Sequence, residues 1–383
     1  MDNTLIASRY KNPFVVSKRI PNELFCDRNS ETAFLIKQME NGRNVVLVSP
    51  RRLGKTGLIH HLFEQQQVAD NYHTFFVDIY SATSLQELCY IFGKAVFERL
   101  KSRKEKRLDA FFKTIKSLRA NFRVDPITGE PSIELGVAAI ENPVATLEEI
   151  FTYLEEAEMP CIVALDEFQQ IAEFAESRVE ATLRGLVQNC SNTSFIFSGS
   201  KQHTIEQMFH SKSRPFYQSA QMMDLLPLER ETYCEFAGRL FSRYGKELAP
   251  EVASVVYDEY EGITWYMQMM MNELFAITDR GQTCTTAMLP QAMENIIDVQ
   301  ESSYMTQMAM LSPRQKQVLQ AVAREGVVRS ATSGAFVRKY SLDSPSSVQS
   351  ALRGLTDKEI VATGNNGTRV YDYFFGWWLK NRY

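Results

Sequence analysis

Residues 44–63 read NVVLVSPRRLGKTGLIHHLF, from Asn44 to Phe63. The apolar run Val45–Val48 predicts a buried strand. A short loop follows it, and then an amphipathic helix. Strand, loop and helix in that order are what a phosphate-binding loop requires. The loop ends in Gly54-Lys55-Thr56. Gly54 lets the backbone approach a phosphate closely, and the amides at the helix start point at it. Lys55 is expected to reach the β- and γ-phosphates of a nucleotide, and the Thr56 hydroxyl to bind Mg²⁺. One position departs from the GxxxxGK[ST] pattern, because Ser49 stands where the first glycine is expected. A lysine that merely capped a solvated helix would leave the shared register of strand, Gly, Lys and Thr unexplained.

A phosphate loop needs an acid on the metal side and usually a second acid to activate water. The stretch CIVALDEFQQI, Cys161–Ile171, supplies both at the end of a hydrophobic strand. Asp166 is read as the Mg²⁺-side acid and Glu167 as the general base for water. The plainer reading is a pair of acids favoured by a helix dipole. The strand Ser194–Ser198 then runs into SGS. Ser198 or Ser200 could sense the γ-phosphate from the adjacent strand, and an ordinary Gly/Ser turn explains the same letters. The expected cofactors are ATP and Mg²⁺.

With 383 residues the chain is long enough for two or three domains, and 44% hydrophobic with 23% charged residues is ordinary for a globular protein. The N-terminal MDNTLIASRYKNPF has no apolar core of signal-peptide length, and no window has the run of ~18–20 apolar residues of a membrane span. Cys26, Cys89, Cys161, Cys190, Cys234 and Cys284 are scattered without CxxC or Cys/His spacing. They read as reduced thiols of a cytoplasmic protein, not as disulfides or a zinc site. The net charge of −4 is uneven. From Met305 onward eleven Lys and Arg face five Asp and Glu, a net +6 that leaves −10 on the rest. A basic tail on an acidic body points to a polyanionic partner for the tail.

Strand-like runs at Val45–Val48, Thr74–Ile79, Cys161–Leu165 and Ser194–Ser198 alternate with helical patterns at Glu31–Met39, Leu85–Leu100 and Val179–Cys190. This predicts an α/β core, a parallel sheet with helices on both faces. The turn signals Asp125-Pro126 and Thr128-Gly129 predict an inserted hairpin near residues 121–136. The basic run Lys101–Arg107 reads as a solvated helix face, with a phosphate-contact patch as the alternative. After Leu228 the strands are expected to stop. Glu229–Tyr244, Pro250–Tyr260, Thr264–Thr278 and Met288–Met310 read as helices, with Met267, Met269, Met270 and Met271 as adaptable packing. From Ser312 the pattern is Pro313–Arg324, Ser330–Lys339 and Ser344–Lys358 as helices. Strands Ile360–Thr363 and Thr368–Tyr373 follow, joined by the turn Gly364–Gly367. Three helices and a hairpin are the layout of a winged helix. The expected domains are therefore a core over residues 1–228, a helical subdomain over 229–310, which the resemblance given next makes a lid, and a winged helix over 311–383.

Together these residues give the chain a resemblance. NPF at Asn12–Phe14, FCDR at Phe25–Arg28, SPRRLGKT, FFVDIYS, ALDEFQQI, FIFSGS, RPFY at Arg214–Tyr217 and LLPL at Leu225–Leu228 occur in the order seen in the archaeal-type ATPases. The chain resembles that family, within the STAND branch of AAA+-like P-loop proteins. The resemblance implies that Phe25-Cys26-Asp27-Arg28 packs near the adenine. It implies a phosphate loop over Ser49, Pro50, Arg51, Arg52, Leu53, Gly54, Lys55 and Thr56, running into Gly57. Arg214 becomes the candidate cation for the γ-phosphate, within the chain or across a subunit interface, with a structural ion pair as the plainer reading. Arg51 and Arg52 either contact phosphate or tie the loop to the lid or winged helix. Gly262-Ile263-Thr264 stands where relatives have Gly-x-Pro, and Thr264 departs from that proline.

Two functions follow. One is a slow Mg-ATP hydrolase whose nucleotide state sets domain arrangement and oligomer formation. The other is a DNA-binding regulator in which ATP is a sensing or structural ligand. For the second, Ser344–Lys358 would be the recognition helix, with Arg353, Lys358, Ser346, Ser347, Gln349 and Ser350 facing bases or phosphates and Arg369 on the wing reaching a groove. Winged helices also dock proteins, so the partner of this domain is DNA or protein. No membrane partner is expected.

Overall fold

The computed structural model describes residues 10–101, 111, 113–117, 122–124, 131–133, 140–364 and 367–383. The basic run beyond Lys101, the turn residues 125–130 and Asn365-Asn366 lie outside the described residues. The chain divides into two compact units. One is Ser17–Leu228, and the other is Glu229–Tyr383 joined by the N-terminal segment up to Val16.

The first unit is built on five strands: β1 (Val45–Val48), β2 (His73–Asp78), β5 (Cys161–Asp166), β6 (Thr193–Gly199) and β7 (Gln221–Asp224). They lie in the order β2-β5-β6-β1-β7, and every pairing is parallel. Within the span where an inserted hairpin is expected, β3 (Phe122–Val124) pairs antiparallel with β4 (Pro131–Ile133). Successive residues of β1 serve opposite faces. Val46 and Val48 join one apolar cluster, while Val45 and Leu47 join the other. Val163/Leu165 against Ile162/Ala164, and Phe195/Phe197 against Ile196, repeat that alternation. Both faces are therefore covered. Helices Leu85–Lys101, Pro143–Glu155, Val179–Asn189 and Gln202–His210 contribute to one cluster, and Asn29–Glu40, Lys55–Glu64 and Gln66–Asn71 to the other. Burying each large aliphatic or aromatic side chain contributes about 1.5–3 kcal/mol, which makes this two-sided core the main support of the sheet.

The sequence reading missed β7. Gln221-Met222-Met223-Asp224 shows no alternation, and its burial is partial because it is an edge strand resting on β1 alone. Helix Pro143–Glu155 was missed too, although Asn142 caps it by accepting from the Ala145 amide and Pro143 opens it.

In the second unit, helices Arg230–Arg243, Pro250–Glu259, Thr264–Ile277 and Leu289–Ala309 form the helical region. Strands do not stop altogether, because Glu247–Leu248 pairs in parallel with Thr283–Cys284. Met267, Met270 and Met271 are core residues. The winged helix follows. Ser312 starts Pro313–Glu325 with a reciprocal capping box through Gln315, and Ser333 and Ser344 cap Gly334–Lys339 and Pro345–Asp357. The wing pairs Val361–Gly364 with Gly367–Val370. Val328 adds a third partner by exchanging two 2.8 Å hydrogen bonds with Thr368. Gly367 is required there, because it has φ +127° and a Cβ would stand 2.6 Å from the Val328 carbonyl oxygen. The second wing strand ends at Val370, short of the expected Tyr373. Asp372 instead caps a C-terminal helix, Tyr373–Asn381, by accepting from the Phe374 and Phe375 amides. Likewise Ser330–Ser333 precedes its helix rather than joining it.

Candidate active site

The loop residues, Asp166, Glu167 and Ser200 gather at the carboxyl ends of β1, β5 and β6, where open parallel sheets bind ligands. The loop leaves β1 at Ser49 and enters helix Lys55–Glu64 through Gly54, whose φ of +95° favours glycine. Arg52 is also left-handed, with φ +73°. Lys55 is 6% exposed, so it is not a solvated cap. Its ammonium donates to the Ser49 carbonyl at 3.0 Å, to Ser49 Oγ at 3.2 Å and to the Pro50 carbonyl at 3.4 Å. Burial pushes its pKa down, and the nearby Glu167 and Asp166 carboxylates partly offset that.

Thr56 donates its hydroxyl to Asp166 Oδ2 at 2.8 Å, which joins the loop helix to the end of β5 across 110 residues of sequence. Asp166 is 5% exposed, and its Oδ1 accepts from the Glu167 amide at 3.1 Å. Glu167 is left-handed, with φ +56°, and this turns the chain from β5 into the 3₁₀ segment Phe168–Glu173. Phe168 anchors that segment against Phe197, Phe209 and Phe216, with ring centroids at 4.6, 6.0 and 5.2 Å. Glu167 Oε2 accepts from Ser200 Oγ at 2.7 Å and from the Gln169 side-chain amide. Arg51 Nε donates to the same Ser200 oxygen at 3.3 Å, so the loop arginine reaches the acid through Ser200. Of the two serines in SGS, Ser200 meets the acid, while Ser198 is fully buried with its hydroxyl lacking a protein partner.

Asp78 ends β2 in register with Asp166. Burial first, and then Asp166 and Glu167, push its carboxyl above the ordinary range. Its role was not read from the sequence, and neither were those of Gln169 and Gly199. Their letters stand inside FFVDIYS, LDEFQQ and FSGS, but nothing local says which atoms meet.

The segment Phe25–Arg28 lies on the loop helix. Phe25 stacks on His61 with centroids 4.3 Å apart, and a Cβ at Gly57 would stand 3.4 Å from its ring. Asp27 and Arg28 are both left-handed. Asp27 accepts from the Asn29 side chain at 2.9 Å, and buried Arg28 donates to Glu31 at 2.6 Å. Arg214 is placed in an ion pair, 2.6 Å from Glu180 on helix Val179–Asn189. That matches the plainer of its two readings. Burial pushes the Glu180 carboxyl up, with Arg214 acting against it.

Among the described residues no three His, Cys, Asp or Glu side chains form a self-contained metal site. One hydroxyl and one carboxylate, Thr56 and Asp166, stand together and suit a magnesium ion that would arrive carrying waters and phosphate oxygens. The residues present therefore fit Mg-nucleotide.

Residues 25–270 match the family described as an ATPase domain predominantly from Archaea. The chain belongs to that family. Residues 302–381 match a probable winged helix domain. The Walker-type ATPase paby2304 of Pyrococcus abyssi is similar in structure, with a TM-score of 0.64 and 18% identity over 96% of this chain and 99% of that one. The ORC2 protein of Aeropyrum pernix, solved as ADPNP–ADP complexes, has a TM-score of 0.57 and 13% identity over 96% and 95%. The ORC1 protein of Aeropyrum pernix in complex with DNA has a TM-score of 0.50 and 12% identity over 93% and 92%. At such identities the likeness is one of fold, here AAA+-like. No curated protein matches the chain significantly in sequence. The family match runs from Phe25 to Met270, so every expected site residue of this ATPase domain falls inside it. Among the described residues no helix is long and apolar enough to cross a membrane.

Proposed function

We propose that this ATPase domain binds and slowly hydrolyses Mg-ATP, and that nucleotide state controls the C-terminal winged helix. The observation that carries the reading is the Thr56–Asp166 hydrogen bond with Glu167 beside it. It joins the phosphate loop after β1 to a metal-side acid and a base at the end of β5, across the intervening strand β6. Backbone amides of Ser49–Gly57 and the Lys55 ammonium would hold the phosphates. Thr56 and Asp166 would hold the magnesium, which supplies charge neutralisation when bound. Glu167 takes the proton of the attacking water. Phe25–Arg28 faces the base of the nucleotide. Arg214 either serves the γ-phosphate or only braces Glu180. Residues 1–228, 229–310 and 311–383 act as core, lid and winged helix, in the manner of the STAND branch, in a cytoplasmic protein. Nucleotide-dependent oligomer formation fits the same reading.

The test is phosphate release by the full chain with Mg-ATP, alongside binding of fluorescently labelled ADP. Lys55→Ala is expected to lose binding, and Glu167→Gln to bind but release phosphate only at background. A wild type that binds and never turns over would sink the hydrolase and favour the second reading, a DNA-binding regulator that uses ATP as a ligand. The net +6 after Met305 favours that reading, and so does the likeness to a protein solved with DNA. A salt-dependent shift of duplex DNA by the full chain tests it, and no shift at low salt counts against it.

A further inference from the structure

Glu167 leaves β5 in a left-handed conformation, which few non-glycine residues adopt. Its side chain is not left to solvent. Two donors from different elements, Ser200 Oγ beyond β6 and Gln169 Nε2 in the following 3₁₀ segment, converge on one oxygen, Oε2. That leaves Oε1 outside the clamp. Ser200 is itself oriented, because its oxygen accepts from Arg51 Nε and its single proton is then directed to Glu167.

Gln169 is the informative member. It is 2% exposed, and its Oε1 has no hydrogen-bond partner. A buried unsatisfied acceptor costs stability, while an apolar side chain of the same shape would not. Packing alone therefore does not explain an amide here. The space for it is also specific. Gly199 faces it so closely that a Cβ would stand 2.3 Å from Gln169 Oε1 and 2.6 Å from Ile205 Cδ1.

We infer that Gln169 and Ser200 are positioning residues that fix the Glu167 carboxylate through Oε2 and present Oε1 to water, with Gly199 providing the room for the Gln169 amide and Arg51 setting the Ser200 proton. This rests on Glu167 being the base in the proposed hydrolysis. The clamp gives the phosphate loop a direct mechanical link to the base, from Arg51 through Ser200 to Glu167.

The experiment compares full-length Gln169→Leu, Ser200→Ala, Ser200→Thr, Gly199→Ala and Glu167→Gln. It reads kcat and KM for ATP, affinity for fluorescently labelled ADP, and melting temperature without nucleotide. Gln169→Leu is expected to melt near the wild type, because removing the orphaned acceptor offsets the lost bond to Glu167. Its kcat is expected to fall roughly 10-fold or more, the effect of losing one hydrogen bond to a charged group, with KM and ADP affinity within about twofold. Ser200→Ala should behave likewise in turnover, Ser200→Thr should restore it, and Gly199→Ala should lower it by displacing Gln169. Wild-type kcat in both Gln169→Leu and Ser200→Ala, with Glu167→Gln inactive, overturns the clamp and leaves the base assignment standing. Turnover by Glu167→Gln at the wild-type rate overturns the base assignment and the clamp with it. A fall in kcat that merely tracks a lowered melting temperature also overturns it, since that marks a packing role.

Discussion

The phosphate loop and the basic tail invite opposite readings of charge. In the loop a few polar groups, with Lys55 and Asp166 buried among them, are committed to named partners. Lys55 is held by Ser49 and Pro50, Thr56 by Asp166, and Glu167 by Ser200 and Gln169. In the tail the charges are numerous and mostly exposed, and four of the eleven basic residues are already ion-paired. Arg314 meets Asp343, Lys339 meets Glu325, Arg369 meets Glu261, and Arg382 meets Glu294, Asp298 and Glu301. The acids answering Arg369 and Arg382 lie before Met305, so the count that gives +6 omits them. Arg369 also stacks its guanidinium 5.0 Å from the Tyr373 ring. Its guanidinium is paired with an acid in the turn before helix Thr264–Ile277. Net charge thus overstates what the tail offers a polyanion, whereas the loop's polar groups are each tied to a named partner.

The contrast can be broken first at its most buried point. Phe168→Ala removes the ring that holds the Asp166–Glu167 turn among Phe197, Phe209 and Phe216. It is expected to cost about 3–5 kcal/mol in urea unfolding. A loss under about 1 kcal/mol would mean the turn is held elsewhere.

Arg214 comes next. If it only braces Glu180, Arg214→Ala and Glu180→Gln should both leave the turnover of the remaining folded protein near wild type. Turnover lost in Arg214→Ala alone would assign it to the γ-phosphate. The sign of the pH effect is fixed by burial. The Glu180 carboxyl already sits above its usual range, and losing Arg214 raises it further. Its charged form is then the penalised one. The extra destabilisation of Arg214→Ala is therefore expected to be absent well below pH 4 and to grow as the pH rises through the raised value. Melting curves across pH 4–8 check it.

For the tail, Arg353→Ala is expected to weaken duplex binding by the full chain and to reduce the salt slope by roughly one. Arg369→Ala should change that slope less, since its charge is already answered by Glu261. Equal effects would erase the distinction drawn between free and committed charge. The smallest effect is expected from Glu261→Ala. Its bond to Arg369 is more than half exposed on the acid side, so it should contribute only about 0.2–1 kcal/mol, declining with added salt.

How much of this was legible in the sequence follows the same division. β1, the loop and its helix are contiguous, and local pattern suffices for them. The acids at the end of β5 are legible because an apolar run ending in Asp-Glu signals its own strand. The edge strand β7 was not, since partial burial erases periodicity. The clamp on Glu167 was not either. It needs Gly199, 32 residues away, to leave room for Gln169, and a left-handed turn to swing the carboxylate toward Ser200. The fate of Arg369 depends on Glu261, more than a hundred positions earlier, and no local pattern encodes that meeting.

Thr56, Asp166 and Glu167 are expected to form a hydrolytic site. Single-turnover cleavage of γ-labelled ATP, with the full chain in excess and Mg²⁺ present, tests it most directly. Wild type is expected to release labelled phosphate, while Glu167→Gln holds the nucleotide uncleaved, with a rate lower by roughly 100-fold or more. Equal cleavage by the two, or none by a wild type that binds the nucleotide, would contradict it.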